Sequence, residues 1–599
     1  MIKLKTSVLA VFALTSFIGM RLHAQVKYTL SMPEPETHYF QVQMDVENIL
    51  TNSKLLDKNH LTVKMPVWTP GSYLVREYAK NIDHFAATTS DGQALPFRKV
   101  NKNTWEISLN GADDVKINYD VYAYELTVRT SFLDEDHGYA NGASVFLYVP
   151  ELMQEQSQLT VQPYEKWSTV STALPETGKN TYAIKDFDTL VDSPIEVGNH
   201  EMLSFEAAGV PHKIAMFSTE PLQYDKAKFL GDFKKMVEAA TSVVGETPLD
   251  HYLFIIHHSQ GIGGGLEHLF STTCQTRPNA YANDYNYKNA FSLFAHEYFH
   301  LWNVKRIRPV ALGPFDYDKE NYTHMLWVAE GFTSFYEEVI LARAGLLNES
   351  EVLEHLADNY NRVLNAPGNT VQAATEASWD AWIKYYRPNE NSSNVNISYY
   401  SKGGLLATLL NAKIIANTQA EKSLDDVLRI LYKRYYQELG RGYTDDEFQA
   451  VCEEVYGGDL DYFFKNYISG IEVPDYATIL KSVGIALVDE NKDQKLPYLG
   501  IAERGGSIVN LNRLGSAYHS GLNVGDKLLS IDGKMGLTIS EAMVGKNVGD
   551  KLQMAVERAG VRHEYEVTVG QNPGVKLRFS KMDKLDAGTE KAYHKFVNI

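Results

Sequence analysis

The twelve residues from Phe291 to Trp302, Phe-Ser-Leu-Phe-Ala-His-Glu-Tyr-Phe-His-Leu-Trp, form an apolar run at helical spacing that carries His296, Glu297 and His300. On a helix, positions i and i+4 lie one above the other, so both imidazoles face one point about a turn apart, the bite a tetrahedral Zn²⁺ requires. Glu297 lies beside them, placed to take a proton from an attacking water. Such a pentad arises by chance on the order of a few times in a hundred chains of this length, so its surroundings decide what it means. A catalytic zinc keeps three protein ligands and one open position, which obliges the fold to bring a third ligand to this helix.

The next strongly patterned helix supplies a candidate. Trp327-Val-Ala-Glu-Gly-Phe-Thr-Ser-Phe-Tyr-Glu337 places Glu330 thirty positions after His300 among apolar and small neighbours, where an unpaired charge is expensive. Glu330 is the expected third ligand, which gives one Zn²⁺ per chain. Glu337, two turns on along the same face, can orient a ligand histidine as an acceptor; an exposed acid is the alternative. His257, His258, His324 and the basic residues Lys305, Arg306 and Arg308 carry no such pattern and are expected to be core, surface or ion-pair residues. Gly261, Gly263 and Gly264 do not fit G-x-G-x-x-G, and Asp489 to Gln494 lacks the glycine of a calcium loop.

Composition narrows the class. At 599 residues the chain is long enough for three to five domains, and 44% hydrophobic with 22% charged residues is an ordinary globular mix. Lys+Arg 57 against Asp+Glu 75 leaves −18, a surface that repels nucleic-acid phosphates. The two cysteines, Cys274 and Cys452, cannot build a disulfide framework or a cysteine metal site. Residues 1–24 have a basic start at Lys3 and Lys5, an apolar run from Val8 to Met20 and a cleavable Ala24, the pattern of a secretory signal. The run is shorter than the ~20 residues of a bilayer span. Cleavage removes three cations and no acid, taking the formal charge to −21, and leaves a mature chain with no membrane span, exported to the periplasm or beyond.

Periodicity divides the remainder. Residues 25–205 alternate with period two in segments such as His38–Val46 and Val115–Val121, which predicts an all-β, sandwich-like domain. Within it, Trp68-Thr-Pro-Gly-Ser-Tyr73 reads as a structural corner. Residues 206–484 form a mixed front half and a helical back half around the pentad. A polar stretch follows Ile485, then a compact β-rich module within 485–575 and a tail of mixed charge at 576–599.

These residues carry a resemblance. His296 to Pro309, Pro314 to Tyr317, Trp68 to Tyr73 and Gly264-Gly-Leu-Glu-His268 are similar to segments of the glycyl aminopeptidase family, metallopeptidase family sixty-one, among the glutamate-type zinc peptidases related to thermolysin. The resemblance implies a multidomain α+β protein with a thermolysin-like catalytic domain. It implies that Gly264 and Gly265 line the bound substrate and that Glu267 holds its α-ammonium, a charge-assisted contact that counts cleavage to one residue. Tyr399-Tyr400-Ser-Lys-Gly403 resembles the aminopeptidase segment whose tyrosine donates to the developing oxyanion, which maps to Tyr400; Tyr399 competes, since neighbours on a helix point about 100° apart. Tyr498-Leu-Gly-Ile501 with Gly515 to Gly533 resembles a bacterial PDZ domain, which implies either peptide capture by an edge strand or packing alone. The function expected is a zinc aminopeptidase that acts on peptides with a free N-terminus and favours Gly or Ala. The rivals are an endopeptidase on the same site and a PDZ-based binding protein with an inactive zinc fold.

Overall fold

The computed structural model describes residues 25–598, so the expected export signal at residues 1–24 lies outside the described residues. Among the described residues no helix is long and apolar enough to cross a membrane. The protein is a multidomain α+β chain with a β-rich N-terminal part and a helical catalytic part.

The alternating segments of the first part become strands because each hides every second side chain. Val26–Ser31 pairs antiparallel with Tyr39–Val46 and parallel with Ser157–Gln162, and Val115–Tyr122 extends the sheet to a total of seven strands. A three-stranded and a four-stranded sheet share one apolar core with it, built from residues such as Leu30, Phe40, Met44, Trp105, Tyr119 and Val197. This β part was expected to run to residue 205. Instead Glu201–Ala207 pairs with Val210–Ser218 and opens the next sheet, because a period of two says that a segment is a strand but not which sheet it joins.

That next sheet has five strands in the order Glu201–Ala207, Val210–Ser218, Tyr252–His258, Ser271–Thr276, Gly264–Glu267, and the last is a free edge. The helix Lys226–Val244, capped by Asp225, packs on it with Phe229, Phe233, Met236 and Val237 buried. The pentad helix Asp284–Phe299 follows, with Phe291 and every residue from Phe294 to Phe299 buried. Helices Gly331–Arg343 and Tyr399–Asn417 cross close to it, and they meet where neither has a side chain. A Cβ on Gly331 would lie 2.4 Å from Gly403 Cα, so only glycine allows this approach.

The C-terminal fifth departs from expectation at both ends. Strand Ile485–Asp489 pairs with Leu577–Lys581, and Ile485, Leu577 and Phe579 belong to the catalytic core. The module with its own core therefore comprises the residues between them, with Leu499, Ile508, Ile531, Met554 and Val567 at its centre. The segment expected as a tail of mixed charge continues the fold over 576–598: helix Ala587–Val597, capped by Asp586, buries Ala592, Tyr593, Phe596 and Val597 against the catalytic core. The mixed charges of this segment are its solvent face, and its apolar residues at spacings of three and four are the buried stripe. The module touches the catalytic part through Asn394, whose amide donates to Leu511 O at 2.8 Å and whose Oδ1 accepts from Arg513 N at 2.8 Å. Cys274 and Cys452 are separate buried thiols.

Phe596→Ala should cost about 3–5 kcal/mol in denaturant unfolding, the usual price of emptying a packed phenylalanine site. An unchanged midpoint would show that the C-terminal helix does not belong to the catalytic core.

Candidate active site

The pentad helix ends at His300, and both imidazoles point at the residue joining helix Leu326–Ala329 to Gly331–Arg343. That residue is Glu330, buried, with Oε2 3.5 Å from His296 Nε2 and 3.2 Å from His300 Nε2. Ligand atoms of all three lie within 4.8 Å of one another. Burial raises the Glu330 carboxyl, but the two imidazoles outweigh it and hold it at about 2. The donor set, two nitrogens and one carboxylate oxygen, suits Zn²⁺.

The outer nitrogens of both histidines are fixed. His296 Nδ1 donates to Glu337 Oε2 at 2.6 Å, and Glu337 Oε1 accepts from Ser292 at 3.2 Å. His300 Nδ1 donates to Asn303 O at 2.7 Å. Asn303 is tied by its own amide to Val328 O, Ala329 O and Thr333 Oγ1, which joins this histidine to the segment bearing Glu330. Each Nε2 is thereby left as the lone pair that faces Glu330.

Glu297 stands on the other side of the triad, against the free edge of the sheet. A Cβ on Gly265 would lie 2.1 Å from Glu297 Cδ, so the carboxylate occupies the space a side chain would take. Its Oε2 is buried with no hydrogen-bond partner, an acceptor kept for something absent from the protein itself. Burial pushes the Glu297 carboxyl up to about 7; His296 and His300 oppose the shift, and Glu267 and Glu330 add to it. Two residues along the strand, Glu267 also offers an oxygen within 4.8 Å of ligand atoms of Glu297 and His300. Gly264, at the start of the strand, faces away from this cluster, toward Arg129.

Of the two tyrosines at the start of helix Tyr399–Asn417, Tyr400 lies nearly parallel to the His296 ring with centroids 6.2 Å apart. Tyr399 is fully buried beneath it, 4.8 Å away, and its hydroxyl has no partner. Burial and then Glu330 push the Tyr400 phenol well up, so it stays a donor at neutral pH.

The N-terminal part also reaches the site, which its reading as a corner missed. Trp68 donates from Nε1 to Asp316 O at 2.8 Å and packs on Phe315, Tyr317 and Trp382, which seats the turn over the edge strand. A Cβ on Gly71 would lie 2.7 Å from both Glu267 carboxylate oxygens. Burial, then Glu330 and Glu267, push the Tyr73 phenol well up. No local pattern marks these residues as functional; only tertiary docking brings them here. The residues left out of the site are structural: Lys305 and His268 pair with Asp192 at 2.7 and 3.1 Å, and His257 donates to buried Glu196 at 2.9 Å.

Residues 27–199 match the family described as Peptidase M61 N-terminal domain, and residues 289–406 match M61 glycyl aminopeptidase. No curated protein matches the chain. Among solved structures, an aminopeptidase N family protein from Idiomarina loihiensis is similar over 95% of this chain and 100% of its own, with 27% identity and a TM-score of 0.86. An M1 zinc metallopeptidase from Deinococcus radiodurans is similar over 75% of this chain and 95% of its own, with 14% identity and a TM-score of 0.47.

Glu337→Gln should weaken zinc retention about 10–100-fold in chelator competition while leaving the fold intact, because it loosens His296 without removing a ligand. Unchanged retention would mean that Glu337 does not orient His296.

Proposed function

We propose that this chain, a zinc metallopeptidase and aminopeptidase with matches to both M61 domains, removes single Gly or Ala residues from the free N-terminus of peptides. The observation that carries this reading is the Glu267 carboxylate, which shares a 4.8 Å cluster with Glu297 and His300 and so can hold an ammonium about one residue from the reacting carbonyl. Gly71 against that same carboxylate supports the small-residue preference. The turn closes directly on the Glu267 carboxylate, with no space for a side chain at residue 71.

The chemistry divides among named groups. His296, His300 and Glu330 would hold one Zn²⁺, which supplies a Lewis acid for the scissile carbonyl and for water. Glu297 takes the proton of the attacking water and returns it to the departing amine. Tyr400, lying over His296, donates to the oxyanion, and losing such a donor typically costs about 3–4 kcal/mol in the transition state. Gly264 and Gly265 leave the edge strand open for the substrate backbone to pair as a further strand.

The segment at residues 1–24 supports export to the periplasm. For the C-terminal module we read a PDZ-type fold. Tyr498–Ile501 leads into an edge strand, Ile501–Arg504, and Glu503 Oε2 accepts from the first turn of helix Ile539–Met543 at 2.8 Å, so strand and helix flank one groove.

A panel of peptides varied at the first residue, with and without a chelator, tests the reading. Free-amine peptides beginning with Gly or Ala should be cleaved fastest, and activity should vanish on chelation and return with Zn²⁺. Glu267→Ala should lower kcat/KM on these peptides at least about thirtyfold. If the variant keeps its activity and N-blocked peptides serve equally well, the enzyme is an endopeptidase. A zinc-loaded sample that cleaves nothing in the panel would favour the binding-protein reading.

A further inference from the structure

Two arginines of the N-terminal part sit beside the cleft with no acid to neutralise them. Arg76 and Arg129 are half-buried, and the Nε of each is buried without an acceptor. Among the described residues the Arg76 guanidinium donates only to Ser72 Oγ, at 3.0 Å. Among the described residues no carboxylate lies within ion-pair distance of either, and Glu125 acts on Arg76 only over a longer range. They also crowd each other: burial, then the charge of Arg129, pulls the Arg76 guanidinium below its ordinary value. Two neighbouring cations withdrawn from water are costly unless an anion completes them, and the planar guanidinium fork matches a carboxylate.

Arg129 occupies a defined place at the start of the edge strand. A Cβ on Gly264 would lie 3.8 Å from its Nη2 and 4.0 Å from its Nη1. Across from that strand, Tyr385 and Tyr386 both feel its charge, and Tyr386 feels Glu330 as well. The guanidinium lies against the start of the edge strand, while Tyr385, Tyr399 and Tyr400 stack on one another.

The order of groups along the edge strand gives the direction of the substrate. Glu267 is at the end that takes the amine, Gly265 faces the base Glu297, and Gly264 faces Arg129. A peptide anchored at Glu267 and cut opposite Gly265 must run antiparallel to the strand, so its departing residues pass Gly264. At about 3.3 Å per extended residue, the three steps from Glu267 to Gly264 span roughly 10 Å, the distance from the amine to the C-terminal carboxylate of a tripeptide.

We propose that Arg129 and Arg76 receive a carboxylate on the departing part of the substrate, which makes free tripeptides the preferred substrates. The proposal rests on Glu267 being the amine anchor. An acidic side chain just after the scissile bond offers the same chemistry as a C-terminus, so the test separates the two sources. The zinc-loaded full-length protein is assayed on Gly-Ala, Gly-Ala-Ala, their C-terminal amides, and Gly-Glu amide.

Wild type should favour free acids over amides by at least about tenfold in kcat/KM, expressed mainly in KM, as expected for a charge-assisted contact. In Arg129→Gln and Arg76→Gln that ratio should fall toward one. Rescue by Gly-Glu amide would identify a reader of any nearby carboxylate, and failure of rescue a reader of the C-terminus. Equal cleavage of acid and amide by wild type overturns the proposal whatever the variants do, and leaves the aminopeptidase reading standing. No cleavage of any free-amine peptide overturns both.

Discussion

The meeting of Glu330 with His296 and His300 is the contact on which the rest of the catalytic part depends. Two imidazoles one turn apart can be aimed by a single helix, but the carboxylate must come from another, and its backbone must come close. Gly331 directly after Glu330 and Gly403 in the facing helix permit that approach. The same crossing carries Tyr400 to the edge of the His296 ring, so ligand and oxyanion donor are placed by one packing event. Asn303 and Glu337 then fix both histidines from behind.

The electrostatics follow from this packing. Glu267, Glu297 and Glu330 are buried in one small volume with only two imidazoles to answer them. A dication and a substrate ammonium supply the missing positive charge, and until they do, burial keeps Glu297 partly protonated near neutral pH. The opposite imbalance lies at Gly264, where Arg129 and its neighbour Arg76 have no acid within ion-pair distance among the described residues. A zwitterionic short peptide matches both ends, its ammonium at the acidic end of the edge strand and its carboxylate at the basic end.

The parts legible in the sequence were those fixed by local spacing. His296, Glu297 and His300 follow from one helical turn. Glu330 and Glu337 follow from the pattern of the next long helix, and the two family matches cover Trp68–Tyr73, His296–Pro309, Pro314–Tyr317 and Tyr399–Gly403 but not Gly264–His268 or the C-terminal module. Arg76, Arg129 and Gly71 were not legible, because they lie more than 130 residues from Glu267 or Glu297 and acquire meaning only when the β domain docks on the edge strand. Strand Glu201–Ala207 and the C-terminal helix were misassigned for a related reason. Periodicity reports that one face of an element is buried, and leaves open which core buries it.

The most direct test is a crystal structure of the zinc-loaded protein with a phosphinic analogue of Gly-Ala-Ala, recorded at the zinc absorption edge. One anomalous peak should lie among His296, His300 and Glu330, with the ligand amine on Glu267, the phosphinate near Tyr400 and the C-terminal carboxylate on Arg129. A peak elsewhere, or a ligand running the other way along Gly264–Glu267, would contradict the account.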